Sequence, residues 1–519
     1  MLERELKLLI ARKDLAKVFK ARPVVDSLRA RPERKLVQSS YFDTPELDLR
    51  RRGIELRVRQ IGKKWIQTVK VPDKGAIGMH ARAEFENPVS GETPDFSKLA
   101  DADIPSVLLS PKLRDRVAKI FETRFWRRKG MLDQADGTKI EICVDAGAAT
   151  AGEQSAGICE VELELKQGAP DALYEVAEAL AAKIDLRLNS LKKPDLGYRL
   201  INEFKPEPVF AKTTDLSCEK TVEDMFVHLL TASLEHAFAN EEAVLDSSDI
   251  EGVHQMRVGL RRFRSALGVF KHVIPAPSRK EAKQTVKPLL AALGPARDWD
   301  VFITEQIALM RRSLPHAEQI DRLEQVAESW RGRAYQHLRE LMRTREYHQA
   351  KLALFSWIVC RRWRQGMTPE ELAGLERSAG GFVRRALSRG HRRVNKRGRE
   401  ILQQTVEQLH ALRIATKRQR YSAEFFASLC PAKKVRAYRS ALKELQTDLG
   451  LLNDGATAKR LLGEIGCVSG MQDSVEFVLG WMARGRVDAQ ERLGDVWKAF
   501  QSQEPFWKKS PRKDSSKTR

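Results

Sequence analysis

Charged and apolar residues alternate along several short segments within the first 200 residues of this chain. Because successive side chains of a β-strand point to opposite faces, each such segment would have one ionic face and one apolar face. Together they predict a closed sheet with a polar, ligand-holding interior and an apolar outside that helices cover. The ionic positions are Glu3, Glu5 and Lys7; Glu55, Arg57 and Arg59; Arg82, Glu84 and Glu86; and Glu160, Glu162 and Glu164.

Length and charge indicate more than one domain and an anionic partner. A chain of 519 residues exceeds what one hydrophobic core usually supports, which predicts two or three domains. The net charge is +22, of which residues 1–208 carry only +5. The remaining +17 lies in the C-terminal three-fifths, so we expect that part to bind a polyanion.

The six cysteines are scattered and form no CxxC pair, which predicts reduced thiols and argues against a zinc site. The sequence shows no apolar run long enough for a signal peptide or a membrane span. We therefore expect a cytoplasmic location and no membrane partner.

Composition changes near residue 205. Residues 1–205 have a mixed strand and helix pattern, and Pro206 and Pro208 interrupt any helix there, as in a linker. Residues 218–500 have a helical pattern almost throughout, and residues 508–519 are basic and without apolar spacing, which predicts a disordered tail. The predicted fold class is α+β followed by all-α.

The helical part contains an internal repeat with an offset of 156 residues. The segment His254-Gln-Met-Arg257-Val-Gly-Leu-Arg261-Arg262-Phe-Arg264 is repeated as His410-Ala-Leu-Arg413-Ile-Ala-Thr-Lys417-Arg418-Gln-Arg420. The repeat continues without a gap for 45 residues, which predicts two similar helical bundles, about 218–375 and 376–500.

The ionic residues of the first part suit phosphoryl transfer. Clustered carboxylates need a cation, and oxygen ligands favour Mg²⁺ or Mn²⁺ over Zn²⁺. The neighbouring Arg and Lys residues suit a multiply charged anion. Mixed charges on strands are also common as ordinary surface ion pairs, so one such segment alone is weak evidence.

The motifs of the first part resemble a known family, the CYTH or triphosphate tunnel metalloenzyme superfamily. The resemblance spans residues 1–203. It is carried by Glu3-Arg-Glu5-Leu-Lys7, Tyr41-Phe-Asp-Thr-Pro, Glu55-Leu-Arg57-Val-Arg59, Trp65-Ile-Gln-Thr-Val-Lys70, Arg82-Ala-Glu84, Thr123-Arg124-Phe-Trp126, Glu141-Ile-Cys-Val-Asp145, Cys159-Glu160-Val-Glu162-Leu-Glu164 and Lys193.

The resemblance implies an eight-stranded antiparallel tunnel that hydrolyses inorganic triphosphate (tripolyphosphate) with Mg²⁺ or Mn²⁺. The implied catalytic residues are Glu5, Lys7 and Arg57. The implied metal ligands are Glu3, Glu5, Asp145, Glu160 and Glu162. The implied phosphate ligands are Lys7, Arg57, Arg59, Lys70, Arg82, Arg124 and Lys193. One departure is Lys192, where the family usually has Ser.

In the second part, His254, Arg257, Arg261 and Arg264 fall on one helix face, and the repeat has the same stripe. A solvated face is the ordinary explanation of one stripe, but its duplication favours an anion site. The stripes resemble those of the CHAD domain, which implies polyphosphate binding. The implied ligands are His254, Arg257, Arg261, Arg262, Arg264, His410, Arg413, Lys417, Arg418 and Arg420.

Two other functional hypotheses stay open. The same tunnel would suit thiamine triphosphate, a nucleoside triphosphate or cyclisation of ATP. Alternatively, the chain would be a non-catalytic polyphosphate-binding protein. Nucleic acid ranks lower as a partner, because the cationic stripes lack the interleaved aromatic residues that favour base stacking.

Overall fold

A computed structural model describes residues 4–72, 82–99, 110–189, 191–202, 205–313, 318–453 and 455–507. The chain divides into two compact units. The first takes residues up to 205 together with 348–360, and the second takes 206–347 and the residues from 361 onward. The predicted tail at 508–519 and the predicted site residue Glu3 lie outside the described residues.

The first unit contains one antiparallel sheet of nine strands in the order β5-β4-β3-β2-β6-β7-β8-β1-β9. The strands are β1 (Glu5–Ile10), β2 (Glu33–Asp43), β3 (Glu55–Ile61), β4 (Lys64–Pro72), β5 (Arg82–Val89), β6 (Ala118–Asp133), β7 (Lys139–Ala151), β8 (Gln154–Gln167) and β9 (Leu186–Leu188).

The sheet differs from the predicted eight-stranded closed tunnel. A ninth strand, β9, pairs with β1, and β5 and β9 form the two edges. Within the described residues, no ladder joins these edges. The reason is local: β9 offers only three residues, and β5 contains Pro88, which has no backbone N–H to donate.

The two faces of the sheet have the opposite character that the alternation predicts. One face is apolar and is covered by short helices, in two clusters. Near β1, β7 and β8 it includes Leu163 and packs against the helix Asp171–Ala181 and against Leu352. Near β3 and β4 it includes Leu56, Val69 and Leu99. The other face carries the ionic residues and therefore holds the candidate site.

The helices of the first unit are short, except those that follow β8. They are α1 (Leu15–Val18), α2 (Arg22–Val25), α3 (Asp48–Arg51), α4 (Pro111–Arg114), α5 (Asp171–Ala181) and α6 (Lys193–Ile201). The apolar residues of α5 pack on the apolar face. In contrast, α6 lies on the ionic face, where Leu196 and Leu200 pack against Phe125 and Ile158.

The second unit is helical. Its helices are α7 (Val222–Phe238), α8 (Glu241–Asp246), α9 (Ile250–Val269), α10 (Ala276–Thr285), α11 (Lys287–Val301), α12 (Ala308–Ser313), α13 (Glu318–Met342), α14 (Arg345–Val359), α15 (Pro369–Leu375), α16 (Ala379–Arg397), α17 (Val406–Phe425), α18 (Ala432–Asn453), α19 (Gly455–Gly466) and α20 (Gln472–Gln501). The residues of α14 from His348 belong to the first unit. No helix in the described part has the length and apolar character needed to cross a membrane.

The repeat appears directly in the helix boundaries. Helices α9 and α17 each have 20 residues, and their first and last residues differ by 156 positions. Each begins after a side-chain cap, Asp249 for α9 and Thr405 for α17, which are also 156 residues apart. One difference lies downstream, where α10 and α11 are separate helices and α18 is continuous. Pro288, near the start of α11, favours that break because it cannot donate to a preceding turn.

Candidate functional site

The ionic face brings together side chains from eight strands. Residues directly opposite each other on neighbouring strands point to the same face of the sheet. Arg57 is paired with Tyr41 and Thr68, and Asp145 is paired with Arg127 and Glu160. The face also curves. Arg59 and Glu162 are separated by four strand spacings, about 19 Å along a flat sheet, yet the Glu162 charge acts on the pKa of Arg59.

Three carboxylates form the acidic centre of this face. Asp145, Glu160 and Glu162 each place one oxygen within 4.8 Å of the others, and Asp145 has no exposed surface. Lys193, the first residue of α6, points its ammonium among them. Its Nζ lies 2.8 Å from Asp145 Oδ2 and 2.8 Å from Glu162 Oε1, and it also pairs with Glu160.

The start of β1 extends this centre. Lys7 Nζ lies 3.0 Å from Glu5 Oε1 and 3.3 Å from Glu162 Oε1. Burial opposes the positive charge of Lys7, but Glu162 and Glu5 outweigh it and raise the lysine pKa. The register explains the meeting, because Lys7 is directly opposite Glu162 on β8.

Arg127 supplies the third cation of the centre, and it is not among the residues predicted from the sequence. Its Nε lies 2.8 Å from Asp145 Oδ1, its Nη2 lies 2.6 Å from Asp145 Oδ2, and the guanidinium also pairs with Glu162. Arg124, which was predicted to bind phosphate, is exposed. It lies on the opposite face, because it is three positions from Arg127 on an unbroken stretch of β6.

The carboxylates of this centre titrate differently. Burial opposes ionisation of Glu162, but Lys193, Arg127 and Lys7 outweigh it and hold its pKa well below the usual value. For Glu160, burial and the neighbouring Glu162 raise the pKa despite Lys193. This donor set fits a hard divalent cation: its oxygens are close together, and the Lys193 ammonium already occupies a position that favours positive charge.

A second, more basic cluster lies on β3, β4 and β5. Arg57 Nη2 lies 3.3 Å from Glu84 Oε1, and Lys70 Nζ lies 3.0 Å from Glu84 Oε2. The Nε of Arg57 is buried and has no hydrogen-bond partner among the described residues. Arg59 donates to Ser39 Oγ at 3.0 Å, and burial together with Arg57 lowers the Arg59 pKa to about 10. Arg82 begins β5, but its side chain is outside the described part.

The helical unit has its own cationic centre, between α9 and α17. Arg257 Nε and Nη1 are buried without a hydrogen-bond partner among the described residues, and the nearest carboxylate, Asp298, is 3.8 Å from its Nη2. On α17, burial and the charges of Arg261, Arg413 and Arg257 lower the Lys417 pKa to about 7. Burial and Arg297 likewise lower the pKa of His254. Such a set of uncompensated positive groups is stabilised by a bound anion.

A cavity of about 510 Å³ adjoins this centre. Stripe residues from both repeats line it, and so do basic residues outside the stripes. The lining Lys and Arg residues are Arg261, Arg264, Lys271, Arg279, Lys283, Arg389, Arg393, Lys417 and Arg418. None of the described residues that line the cavity is acidic.

Three other predicted polyphosphate ligands are placed differently. Arg262 is only 4% exposed and forms an ion pair with Glu424, so its charge is already neutralised. Arg420 donates from Nε to Gln446 Oε1 at 2.9 Å. His410 is exposed on the first turns of α17. Arg262 was predicted to bind polyphosphate, and its burial and its ion pair with Glu424 remove it from the anion-binding set.

Comparison with known proteins agrees with this architecture. The CYTH domain family matches residues 1–195, and the CHAD domain family matches residues 228–463. An inorganic triphosphatase of Haemophilus influenzae is 32% identical over 167 residues, which cover 31% of this chain and 45% of that relative. The alignment thus spans less than half of the relative's length.

A solved structure resembles the second unit. The crystal structure of the CHAD domain from the plant Ricinus communis has 29% sequence identity and a TM-score of 0.50, and the match covers 58% of this chain and 98% of that one. With the two family matches, it accounts for both the mixed and the helical part. The chain therefore belongs to the proteins in which a CYTH domain is followed by a CHAD domain.

Proposed function

We propose that the first unit hydrolyses inorganic triphosphate with a divalent cation, Mg²⁺ or Mn²⁺. The observation that carries the proposal is the convergence of Asp145, Glu160 and Glu162 on the same curved face as Arg57, Arg59 and Lys70. Carboxylates that hold a cation, next to basic side chains that hold phosphate oxygens, are what phosphoryl transfer needs. The inorganic triphosphatase relative supports the same reaction.

The residues divide into two groups by role. Asp145, Glu160 and Glu162, with Glu5 at the end of the centre, would hold the cation through oxygen atoms. A cation held there would supply positive charge next to the phosphates and would lower the pKa of water.

The second group neutralises the substrate. Arg57, Arg59 and Lys70 would bind phosphate oxygens from the β3–β4 side, and Lys7, Lys193 and Arg127 from the β1–β8 side. Arg57 has a buried Nε without a partner among the described residues, so a phosphate oxygen would satisfy a donor that is otherwise costly to bury. This charge neutralisation across both sides favours a substrate with several adjacent phosphates over a monophosphate.

We also propose that the helical unit binds polyphosphate through His254, Arg257, Arg261, Arg264, Arg413, Lys417 and Arg418. The uncompensated charge on α9 and α17 supports this, because several of these groups have pKa values lowered by burial and by each other. A flexible chain of phosphates neutralises many closely spaced cations at once, and it needs no base-stacking surface.

The experiment is a rate measurement on the full chain. Purified protein receives tripolyphosphate, thiamine triphosphate or ATP with Mg²⁺ or Mn²⁺, and released phosphate and cyclic AMP are measured. We expect tripolyphosphate to give the highest kcat/KM. Glu162→Gln should lose at least about 100-fold in kcat/KM because it removes one charge from the cation site, whereas the exposed control Glu33→Gln should match the native protein. Equal activity of native protein and Glu162→Gln, or no activity at all, contradicts the proposal.

A further inference from the structure

The cationic cavity of the helical unit is lined by residues of both repeats. Because the two repeats are similar, exchanging them gives a second, equivalent position in the same unit. Helices α9 and α10 contribute one wall, and α16 and α17 the other. With the offset of 156 residues, α9 and α10 correspond to α17 and α18, and α16 and α17 correspond to α7 and α9. These four counterparts form the second position. The two positions differ in charge, in the path of the chain and in packing.

At the open position, positive charge is not compensated. Arg264, Lys271, Lys283, Arg393 and Arg418 line the cavity. Within the described residues, no ion pair joins any of them to a carboxylate. Their mutual repulsion shows in the pKa values: burial and then neighbouring arginines lower the pKa of Lys271, Lys283 and Arg418. An anion would relieve this repulsion.

At the equivalent position, an acidic residue replaces a glycine. Glu424 is the counterpart of Gly268, and Arg262 is the counterpart of Arg418. Glu424 forms an ion pair with Arg262, and Arg439 Nη2 lies 3.8 Å from Glu424 Oε2. Part of the positive charge of this position is therefore neutralised within the chain itself.

Backbone and side chains also fill this second position. Arg262 donates from Nη2 to Thr214 Oγ1 at 3.3 Å, and the ring of Phe425, the counterpart of Val269, lies 5.4 Å from the guanidinium. Leu216, which is fully buried, donates its backbone N–H to Ser428 Oγ at 3.0 Å. The segment after Pro206 thus closes the space that stays open in the other half.

The opposite wall changes from basic residues to small uncharged ones. Arg389 and Arg393 on α16 correspond to Ser233 and Ala237 on α7, which are both fully buried. Charge, chain path and packing therefore all make the second position less suited to an anion. One inter-repeat position keeps nine basic residues around a cavity, and the other has become part of the core.

We infer that condensed phosphate binds at the cavity between α9, α10, α16 and α17, that Gly268 leaves the positive charge of this cavity uncompensated, and that Glu424 with the segment 206–216 has closed its counterpart. The inference rests on the proposed polyphosphate binding and adds a location and an asymmetry to it. The ligand chain would extend from the α9–α17 stripe into this cavity, because Arg261 and Lys417 border both.

The test copies the natural difference between the repeats. Gly268→Glu places a carboxylate at the cavity wall, and a Cβ atom at this helical position meets no atom within 4 Å, so the fold should tolerate it. Gly268→Gln is the neutral control of the same size. Binding of long-chain polyphosphate to the full chain is measured for the native protein and both variants at one fixed, moderate salt concentration.

We expect Gly268→Glu to weaken polyphosphate binding at least about tenfold, while Gly268→Gln stays within about threefold. Tripolyphosphate hydrolysis should be the same in all three proteins. Arg393→Gln changes an exposed residue of the opposite wall. It should also weaken binding, because it removes a positive charge from the cavity without introducing a carboxylate. Equal affinity of native protein, Gly268→Glu and Arg393→Gln would overturn the inference and leave the polyphosphate proposal standing. Native protein that binds no polyphosphate would overturn both.

Discussion

Arg127 and Asp145 are direct cross-strand partners on β6 and β7 and form a two-point ion pair, with distances of 2.8 and 2.6 Å. Removing one partner of such a buried pair leaves an uncompensated charge and costs about 3–5 kcal/mol. In this site the same guanidinium also holds Glu162, so its loss should affect chemistry as well as stability.

The first prediction separates Arg127 from Arg124. Arg127→Gln should lower kcat/KM for tripolyphosphate at least about 100-fold, because it removes a positive group from the face on which we propose that phosphate binds. Arg124→Gln changes an exposed residue of the other face and should leave kcat/KM within about twofold. The measurement is steady-state hydrolysis of both variants, and a larger loss in Arg124→Gln would contradict the assignment of the β6 faces.

The second prediction concerns Lys193, whose Nζ sits among three carboxylates. Lys193→Met leaves Asp145, Glu160 and Glu162 without that ammonium, so without metal the variant should be less stable by about 3–5 kcal/mol. Mg²⁺ should restore more stability to the variant than to the native protein, because the carboxylates then gain a cation that they lack.

Thermal unfolding with and without Mg²⁺ checks the Lys193 prediction without any activity readout. Lys17→Met, which removes an exposed lysine paired with Asp14, is the control. An equal Mg²⁺ response in native protein, Lys193→Met and Lys17→Met would show that the three carboxylates do not hold the cation.

The third prediction uses the Lys417 pKa of about 7. Lys417 is surrounded by Arg257 and Arg261 on α9 and by Arg413 and Arg420 on α17. A bound polyanion favours the protonated lysine, so binding should take up a proton above pH 7. Polyphosphate affinity should therefore fall as the pH rises from 7 towards 9.

Arg in place of Lys417 gives the matched control. Lys417→Arg keeps its charge over this range, so its affinity should depend less on pH than that of the native protein. Titrations with long-chain polyphosphate at pH 6.5, 7.5 and 8.5 compare the two. Parallel pH profiles would show that protonation of Lys417 is not linked to binding.

The fourth prediction concerns Asp300, which is fully buried and accepts from the Tyr335 hydroxyl at 3.2 and 3.0 Å. Burial raises its pKa to about 6, although the Tyr335 hydrogen bond acts in the other direction. The folded state thus holds a proton that the unfolded chain, with a carboxyl pKa near 3.9, releases. Stability from this group is present below pH 4 and is lost as the pH rises through 6.

The shift in the Asp300 pKa corresponds to about 3 kcal/mol. Asp300→Asn removes the titration and keeps an acceptor for Tyr335. The free energy of unfolding of the native protein, relative to the variant, should therefore fall by about that amount between pH 4 and pH 7. Urea unfolding at pH 4, 5, 6 and 7 measures this difference, and a constant difference would exclude a titrating Asp300.

Much of the fold could be predicted from the alternation of side chains, because a half-buried strand needs one apolar face. The sequence could not predict which residues of β6 face inward. Phe121, Phe125 and Trp126 are all apolar, so the pattern there does not define a single parity. Arg127 could have been found from the strand register, because it is directly opposite Asp145, which is a predicted site residue.

The basic stripes of the helices show a second limit of prediction from sequence, which concerns the residues that are exposed. Spacing alone assigns Arg262 to the face of Gly259 and Ala266, which are buried in the structure, so periodicity could have excluded it from the anion-binding set. Its counterpart Arg418 has the same spacing but is exposed beside a cavity. That contrast depends on Glu424 and on the path of residues 206–216, neither of which follows from local periodicity.

The short β9 and the proline of β5 also bear on how this protein behaves at high concentration. An exposed strand edge is a template on which another molecule can add a strand, and this is a common route to aggregates. Here one edge spans only Leu186–Leu188, and the other carries Pro88 together with Glu84 and Glu86. Among the described residues the sheet is open at both edges, and these features protect it against intermolecular pairing.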